Sequence, residues 1–461
     1  MCPSYLATRD EKDSTRGRAR VLQELANGSL VSGWDAPAVA DALDLCLSCK
    51  GCSADCPAGV DMATYKAEAL YQRYRRRVRP AAHYSLGWLP RWAALTTRSP
   101  RLARLANASL RVGPAAALAK RLGGIDRRRD LPEFAAESFR QWFTGRRRPG
   151  PAPGPLAPGA SGDSRGAAET ASGGSAVGPA VGSPVAGGPD SAGAARKPVF
   201  LWVDTFTNAF SPQVGKAAVA VLEAAGYEVR ITGRGVCCGL TWISTGQLDG
   251  ARRQLRRTLR ALAPALDAGI PVVGLEPSCT AALRRDAAEL LPRDRRAAAL
   301  SGAVKTLAEL LRSTEGWTPP DLSDISGPNA AVAQPHCHQH AVLGWSADAE
   351  LLRDAGASVD AVGGCCGLAG NFGAERGHYD VSAAVAETAL LPAVRRAVSA
   401  AGEASADGGG NGAATILADG FSCRTQLEQL AGVQGTHLAE LLASRLPEDN
   451  SKKPEGPAAR P

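Results

Sequence analysis

Four cysteines near the N-terminus constrain this chain more than any other feature. They follow the pattern Cys-x2-Cys-x2-Cys-x3-Cys-Pro, at Cys46, Cys49, Cys52 and Cys56. Spacers of two residues let three thiolates bind one iron–sulfur cubane, and in the bacterial two-cluster arrangement the cysteine before proline ligates the other cluster. Cys2, which precedes a proline, supplies that ligand here. We therefore expect Cys2 to complete one 4Fe–4S cluster with the first three cysteines of the run, while Cys56 faces a second cluster.

Two other arrangements of this run stay open. The cluster can close on Cys56 instead of Cys2, or the thiolates can hold zinc. In each case the ligands need a reducing compartment. The N-terminus has no basic stretch followed by an apolar one, so a signal peptide is not expected. The chain is therefore expected to be cytoplasmic.

The positive charge of the chain is concentrated in one segment. Residues 71–149 carry nineteen Lys or Arg against four Asp or Glu, a local balance of +15 within a net charge of +8. No nucleic-acid motif accompanies this segment, but Trp88 and Trp92 lie beside Arg91 and Arg98. The pattern fits a solvated helical face, a partner-docking face or peripheral contact with the inner face of the cell membrane. No run of about 18 apolar residues predicts a membrane span.

Composition and periodicity divide the chain into five segments. Residues 1–144 read as short helices, and residues 145–197 as a disordered Ala/Gly/Pro/Ser linker. Strands and helices then alternate over 198–325 and over 326–446, before a disordered tail at 447–461. Alternation of this kind predicts an α/β fold with a largely parallel sheet. The fold class expected is an all-helical ferredoxin-like domain followed by a pseudo-duplicated α/β domain.

Local signals place the individual elements. Ser14, Asp35 and Asp61 can each cap a helix, and the last two helices flank the cysteine run. Residues 71–144 are expected to continue as helices that are broken at prolines 80, 90, 100 and 114. Buried strands are predicted at 199–203, 228–231, 272–275, 331–333 and 415–418, with a helix at 213–225.

A cysteine pattern occurs twice in the second half of the chain. Cys237-Cys238-Gly239-Leu240 recurs as Cys365-Cys366-Gly367-Leu368, and each pair is followed by a strand that leads to a further cysteine, Cys279 or Cys423. These cysteines come just after predicted strands, where parallel sheets assemble their sites. Cys337 joins the second set. Four converging thiolates require a metal or cluster to neutralise them, so we expect a metal or cluster there.

The first set is less complete than the second. No cysteine in the first set corresponds to Cys337, so zinc, an oxygen ligand from Asp204 or Glu276, or an altered site stay open. Gly239 and Gly367 are expected to let the backbone approach a bulky inorganic centre. His336, His338 and His340 have ligand-like spacing, and His338 is the candidate to donate to a cluster sulfur or relay a proton.

With its paired Cys-Cys-Gly motifs behind the N-terminal run, the chain resembles the cysteine-rich (CCG) family. That family includes the glycolate oxidase iron-sulfur subunit and the cysteine-rich subunit of heterodisulfide reductase. The chain is most similar to the C-terminal portion of fused FAD-linked oxidases of the D-lactate dehydrogenase type, in stretches such as Glu276–Cys279 and Pro335–His340. The usual repeat ends in Cys-x2-Cys, but Glu276 and Gly420 stand at the first of these positions. An ordinary 4Fe–4S cluster is therefore expected in place of a noncubane one.

The resemblance implies an iron–sulfur electron-transfer component of a flavin-dependent 2-hydroxy-acid dehydrogenase. FAD would be held by a partner chain or by a segment removed through truncation, and Cys2 directly after Met1 favours truncation. Electrons would pass to a quinone or another acceptor. The chain alone is expected not to oxidise a hydroxy acid. The alternatives are a thiol/disulfide reductase like heterodisulfide reductase and a non-enzymatic scaffold with structural zinc.

Overall fold

The computed structural model of the chain describes residues 2–146, 196–326, 330–406 and 414–447. Nearly all of the predicted linker and the predicted tail lie outside these residues. Ten α-helices form the N-terminal part: α1 Pro3–Thr8, α2 Thr15–Asn27, α3 Pro37–Asp44, α4 Gly51–Asp55, α5 Met62–Arg73, α6 Ala81–Ser85, α7 Leu89–Thr96, α8 Pro100–Arg111, α9 Gly113–Gly123 and α10 Phe139–Gly145.

Capping explains where the helices next to the cysteine run begin. The Ser14 side chain accepts a hydrogen bond from the backbone of Gly17, and Asp61 accepts one from Ala63, as the sequence predicts. The prediction that Asp35 caps the intervening helix is wrong. Helix α3 instead begins with Pro37 in its first turn, where the missing proline N–H costs no hydrogen bond.

Proline begins several of the later helices instead of breaking them. Pro90, Pro100 and Pro114 each lie in the first turn of α7, α8 and α9. Their fixed φ suits that turn, so each proline separates a helix from the one before it. A series of short helices results.

The first α/β segment contains four strands. Its elements are β1 Lys197–Trp202, α11 Thr205–Ala209, α12 Pro212–Ala224, β2 Tyr227–Ile231, α13 Leu240–Ser244, α14 Leu248–Asp267, β3 Val272–Gly274, α15 Pro277–Ala281, a π-helical turn Ala282–Asp286, α16 Ala287–Leu290, α17 Arg295–Ala303, β4 Val304–Thr306 and α18 Leu307–Arg312. Strand β4 is the one that sequence reasoning missed, because Val304–Thr306 is too short to show a period.

The second α/β segment contains three strands. Its elements are β5 Ala331–Ala333, a π-helical turn Gln339–Leu343, α19 Ser346–Asp354, β6 Asp360–Ala361, a 3-10 turn Phe372–Ala374, α20 Tyr379–Glu387, α21 Leu390–Ala406, β7 Thr415–Leu417, α22 Phe421–Ala431 and α23 Leu438–Ala443. Strand β6 was also missed, because its two residues are exposed and carry no apolar signal.

Both sheets are parallel and place their first strand at the centre. The strand orders are β2-β1-β3-β4 and β6-β5-β7, and a parallel bridge between Leu417 and Thr436 extends the second sheet. One apolar core joins the two segments: Leu201 and Val219 of the first belong to the same buried cluster as Leu351 and Leu442 of the second. The fold is therefore α/β with a helical N-terminal part, and the cysteine-bearing strand ends of both sheets lie on a shared body.

The glycine of each Cys-Cys-Gly motif has the same backbone conformation. Gly239 and Gly367 have φ values of 84° and 87°, in the region that favours glycine. In the second motif a Cβ would also overlap the carbonyl oxygen of Ser382. The glycines are therefore required by the turn that carries the two cysteines.

Replacing Gly367 with alanine is expected to destabilise the protein by about 2–5 kcal/mol, from backbone strain plus overpacking. The matched control is Gly370→Ala, because Gly370 also has a positive φ of 66° but has no atoms near its would-be Cβ. That control should cost only about 1 kcal/mol. Urea unfolding of both variants measures the difference, and equal losses would contradict the close contact with Ser382.

Candidate iron–sulfur sites

The loop that carries the N-terminal cysteines is held in an unusual backbone conformation. Ser48 and Lys50 have φ values of 54° and 61°, which non-glycine residues adopt rarely. Each of these residues comes directly before or after Cys49. The backbone N–H of Met62 donates to Cys52 Sγ at 3.4 Å. This geometry places the thiols of Cys46, Cys49 and Cys52 toward one interior.

The structure brings Cys2 to the same interior. Arg18 donates from Nη1 to Cys2 Sγ at 3.1 Å. Although burial opposes it, the positive charge of Arg18 lowers the pKa of the Cys2 thiol. Burial raises the pKa of Cys52, and the negative charges of Cys46 and Cys2 raise it further, which shows that these sulfurs lie within electrostatic range of one another.

Cys56 lies apart from this group. Backbone N–H groups that include those of Val60 and Ala58 lower the pKa of its thiol, and no other cysteine contributes to that shift. The chain thus turns Cys56 away from the sulfurs of Cys46, Cys49 and Cys52. The expected division of the run, in which Cys2 and not Cys56 joins the first three cysteines, stays a prediction.

A second group of four cysteines meets at the strand ends of the second sheet. Cys365, Cys366 and Cys423 are buried, and Cys337 is half-buried. Each of these thiols shifts the pKa of another member of the group, and the neighbouring Cys366 thiol, together with burial, raises the pKa of Cys423 well above its usual value. Four thiols gathered at one place cannot ionise together without a positive centre among them.

The two cysteine groups are neighbours. Burial raises the pKa of Cys49, and the next largest cause is the negative charge of Cys337. Cys49 and Cys337 both pack against one apolar cluster that contains Leu47, Cys365 and Phe372. Residues separated by almost 300 positions in the sequence therefore face each other across the boundary between the helical part and the second sheet.

Two of the three clustered histidines lie inside this region. His336 Nδ1 accepts a hydrogen bond from the backbone of His338 at 3.1 Å and lies 3.8 Å from Cys337 Sγ. Although burial opposes it, the negative charge of Cys337 raises the pKa of His336 to about 9. His340 lies outside and pairs with Asp55.

His338 connects the two cysteine groups directly. Its Nε2 lies 3.2 Å from the carbonyl oxygen of Ser48, whereas its Nδ1 is buried with no hydrogen-bond partner among the described residues. A carbonyl oxygen only accepts, so Nε2 carries the proton and Nδ1 of the neutral ring is an acceptor. This tautomer favours proton relay over donation to a cluster sulfur.

The first cysteine set is differently built. Cys238 Sγ donates to Cys279 Sγ at 3.2 Å, and Cys237 directly precedes Cys238 in the chain. Asp204 and Glu276 are both buried nearby, but Asp204 accepts hydrogen bonds from Phe206 and Thr207. The carboxylate of Glu276 accepts from Ser278 and from the backbone of Phe421. Both predicted oxygen ligands are thus already engaged by the protein.

Both complete groups of cysteines offer the thiol ligands that iron–sulfur clusters require. Each consists of four cysteines that the backbone turns to a common interior, and thiolates are the ligands of such clusters. Within the described part of the chain, no three His, Cys, Asp or Glu side chains are spaced to hold a single metal ion. A cubane is larger than an ion and needs ligands set further apart.

Gly420 explains why the usual Cys-x2-Cys ending is absent from the second set. A Cβ at this position would overlap Cδ2 of His336 and would lie 3.3 Å from Cys423 Sγ. The imidazole of His336 therefore occupies the space that the side chain of an additional cysteine would need. The second site is limited to four cysteines by this contact.

An apolar cavity of about 160 Å³ lies between the two cysteine groups. Cys49, Cys337 and His338 line it on one side, and Leu240 and Phe421 are among the residues that close it on another. Its position gives a small apolar molecule access to both groups. None of the helices in residues 2–146, 196–326, 330–406 and 414–447 is long and apolar enough to cross a membrane.

Two family profiles match the chain. A 4Fe-4S dicluster domain matches residues 1–60, and a cysteine-rich domain matches residues 204–284. These ranges contain the N-terminal cysteine group and the first cysteine set. They agree with the family resemblance that the motifs indicate.

Three curated proteins illustrate the similarity. One subunit of the anaerobic glycerol-3-phosphate dehydrogenase of Escherichia coli (strain K12) is 29% identical over 52% of this chain and 57% of its own length. D-2-hydroxyglutarate dehydrogenase of the same strain is 22% identical over 96% of this chain and 41% of its own length. The chain thus spans about half the length of these two relatives. Lactate utilization protein A of Bacillus velezensis is 30% identical over 38% of this chain and 74% of its own length.

Proposed function

Because the chain belongs to the family of lactate utilization protein A, with its dicluster and cysteine-rich domains, we propose that it is the electron-transfer part of a flavin-dependent 2-hydroxy-acid dehydrogenase. Iron–sulfur electron transfer in a dehydrogenase-type protein is the function that the relatives and domains share. The hydroxy-acid substrate, of the D-lactate or glycolate type, is our proposal. The flavin would be held by a partner protein or a further domain.

The observation that carries this proposal is the meeting of Cys49 and Cys337. Electron transfer between two centres falls off with distance, so the protein must hold them close and fixed. The Ser48–His338 hydrogen bond and the apolar cluster around Leu47 fix the two cysteine groups relative to each other. A scaffold with separate structural zinc sites would have no need of this contact.

We propose one 4Fe–4S cluster for each complete group of cysteines. The ligands of the first are Cys2, Cys46, Cys49 and Cys52. The ligands of the second are Cys337, Cys365, Cys366 and Cys423. When bound, such clusters accept and release single electrons. The first cysteine set, with three cysteines only, is proposed to be an altered copy that holds zinc or no metal.

The chain's own residues shape these sites in stated ways. Arg18 places a positive charge beside Cys2, and His336 Nδ1 lies 3.8 Å from Cys337 Sγ. Positive charge near a ligand thiolate would stabilise the reduced state of a bound cluster and raise the reduction potential of that cluster. Burial by Leu47 and Phe372 keeps water from the boundary between the groups.

The apolar cavity supports a quinone as the electron acceptor. Its lining is mostly apolar and includes His338, whose Nδ1 is buried with no hydrogen-bond partner among the described residues. A quinone takes up protons as it is reduced, and a neutral imidazole nitrogen can relay them. We propose the cavity as the point where electrons leave the protein.

Exposed apolar side chains support peripheral membrane contact. They lie on α7, α8 and α9 and at the junction of α8 and α9, within the basic segment: Trp92, Leu95, Leu102, Leu105, Val112, Leu118 and Leu122. Neighbouring arginines such as Arg101 and Arg104 suit anionic headgroups. A quinone acceptor in a bilayer would be reached from this face.

Metal analysis of anaerobically purified protein tests the proposal. We expect about eight irons and eight sulfides per chain, and two EPR signals after dithionite reduction that broaden each other. Cys366→Ser should remove about four irons and one signal. About four irons, with a signal that survives Cys366→Ser, would overturn the second cluster. One zinc per chain would assign that ion to the first cysteine set.

Substrate addition separates the proposal from its rivals. D-lactate added to the purified chain should leave the cluster absorbance unchanged, because no flavin is held by the cysteine sites. Reduction by lactate alone would contradict the need for a flavin-bearing partner. Thiol-dependent turnover of a disulfide, lost in Cys366→Ser, would favour a disulfide reductase instead.

A further inference from the structure

A second, larger cleft lies beyond the C-terminal ends of β1 and β2, where Val203–Thr205 and Arg234–Cys237 line it. It encloses about 690 Å³ between helices α7 and α10 on one wall and α14 on the other. Eight arginines line it, against one carboxylate, that of Asp204. Its inner end reaches Cys237. The apolar cavity, by contrast, has one arginine in its lining, Arg129.

Four of the arginines form one face of α14. They are Arg253, Arg256, Arg257 and Arg260. All four are exposed, while Leu255 and Leu259 on the opposite face are fully buried. Spacings of three and four residues place these arginines beside one another, and like charges so placed destabilise a helix. No ion pair in the described residues offsets them.

The other arginines come from the opposite wall and the loop after β2. Arg91, Arg98 and Arg140 face the cleft from the helical part, and Arg234 faces it from the loop. Burial, together with the positive charge of Arg234, lowers the pKa of Arg140 to about 10. These four arginines also lack ion pairs among the described residues. The cleft thus holds charges of one sign that repel each other.

Asp204 does not neutralise this charge. Its Oδ1 accepts hydrogen bonds from the backbone of Phe206 and Thr207, and its Oδ2 accepts one from the Thr207 hydroxyl at 2.6 Å. Burial raises the pKa of Asp204 to about 6, and the nearby negative charge of Glu276 contributes to this rise. The carboxylate is thus committed to the start of α11.

We propose that this cleft binds a small molecule that carries two or more phosphate groups. The arginine fork matches phosphate oxygens in pairs, and several forks around one cavity suit several phosphates. The volume lies in the range of small-molecule pockets, about 300–1,000 Å³. A concave site of this depth fits a compact polyanion better than a flat membrane surface. The proposal is independent of the electron-transfer function.

Calorimetric titration of the full-length holoprotein tests the proposal, with ATP and inorganic pyrophosphate as probes and inorganic phosphate for comparison. We expect saturable binding of ATP that weakens as salt is raised, and weaker binding of single phosphate. The double variant Arg253→Gln/Arg257→Gln should bind ATP about tenfold more weakly or worse. Its iron content and EPR signals should not change, since neither arginine contacts a cysteine site.

The matched control is Arg293→Gln/Arg396→Gln. Both arginines are exposed, form no ion pair in the described residues and lie outside the cleft. This control removes the same charge and should keep the wild-type affinity. Equal affinities for pyrophosphate and ATP would mean that the cleft recognises the phosphates alone. A higher affinity for ATP would mean that the cleft also contacts the nucleoside. Absence of saturable binding, or equal losses in both double variants, would overturn the proposal. The proposal would also be overturned if the Arg253→Gln/Arg257→Gln variant kept its affinity for ATP and lost binding only to phosphatidylglycerol vesicles.

Discussion

Serine in place of Cys2 is expected to remove about four irons per chain, whereas serine in place of Cys56 leaves the iron content unchanged. The reason is geometric. Cys2 shares the interior of Cys46 and Cys52, while the thiol of Cys56 is held by its own backbone N–H groups. The two substitutions are matched, because each replaces one sulfur with oxygen in a Cys-Pro pair.

Iron and sulfide assays of both variants measure this effect, and EPR of the dithionite-reduced proteins identifies which signal is lost. The signal of the second group should persist in Cys2→Ser. Loss of iron in Cys56→Ser with retention in Cys2→Ser would show that the run closes on itself. In that case Cys2 would not be a cluster ligand, and Arg18 would not influence a ligand thiolate.

Lys50→Met is expected to destabilise the folded protein by about 3–5 kcal/mol near neutral pH. The Nζ of Lys50 lies 2.9 Å from Asp61 Oδ2 and 2.8 Å from Asp286 Oδ1, and the lysine side chain is only 6% exposed. Removing the ammonium takes away the ion-pair partner of the largely buried Asp286 and leaves Asp61 with Arg285 alone, whose Nη2 lies 3.8 Å from Asp61 Oδ2. Asp286 lies in the π-helical turn after α15, so the change also weakens the docking of the helical part.

The loss should shrink as the pH falls. Burial opposes it, but Lys50 lowers the pKa of Asp61, so this pair stabilises the protein above the ordinary carboxyl pKa and the effect disappears as Asp61 is protonated. Urea unfolding at neutral and acidic pH measures both points. The control is Lys305→Met, whose Nζ contacts only the Ser313 hydroxyl, at 3.3 Å, among the described residues. A loss equal to that of the control would contradict the role of the buried pair.

The arginines of the basic segment show where sequence reasoning stopped. Composition predicts a solvated, membrane or partner face for residues 71–149. In the structure, Arg129 is buried and donates to the carbonyl of Gly373 and to the hydroxyl of Ser382, while Arg79 donates to the carbonyls of Thr245 and Gly246. Part of the positive charge therefore attaches the helical part to the α/β body, through contacts that no local pattern encodes.

Local sequence signals were enough to identify the candidate ligands and the strands that lead to them. Short spacing does this for Cys46, Cys49 and Cys52, and apolar runs before Cys337 and Cys423 do it for the second group. Both signals involve residues that are close together in the sequence, so they can be read without knowing how the chain packs. The capping of α2 and α5 by Ser14 and Asp61 was predictable for the same reason.

The relation of the sites to one another depends on packing and could be read only from the folded chain. The approach of Cys49 to Cys337, the exclusion of a fifth cysteine by His336 at Gly420, and the arginine cleft all join segments that are distant in sequence. Such contacts depend on how helices and sheets pack, and packing is set by the summed burial of many side chains rather than by any one spacing. For that reason the candidate ligands could be proposed one by one, but their neighbours across the domain boundary could not.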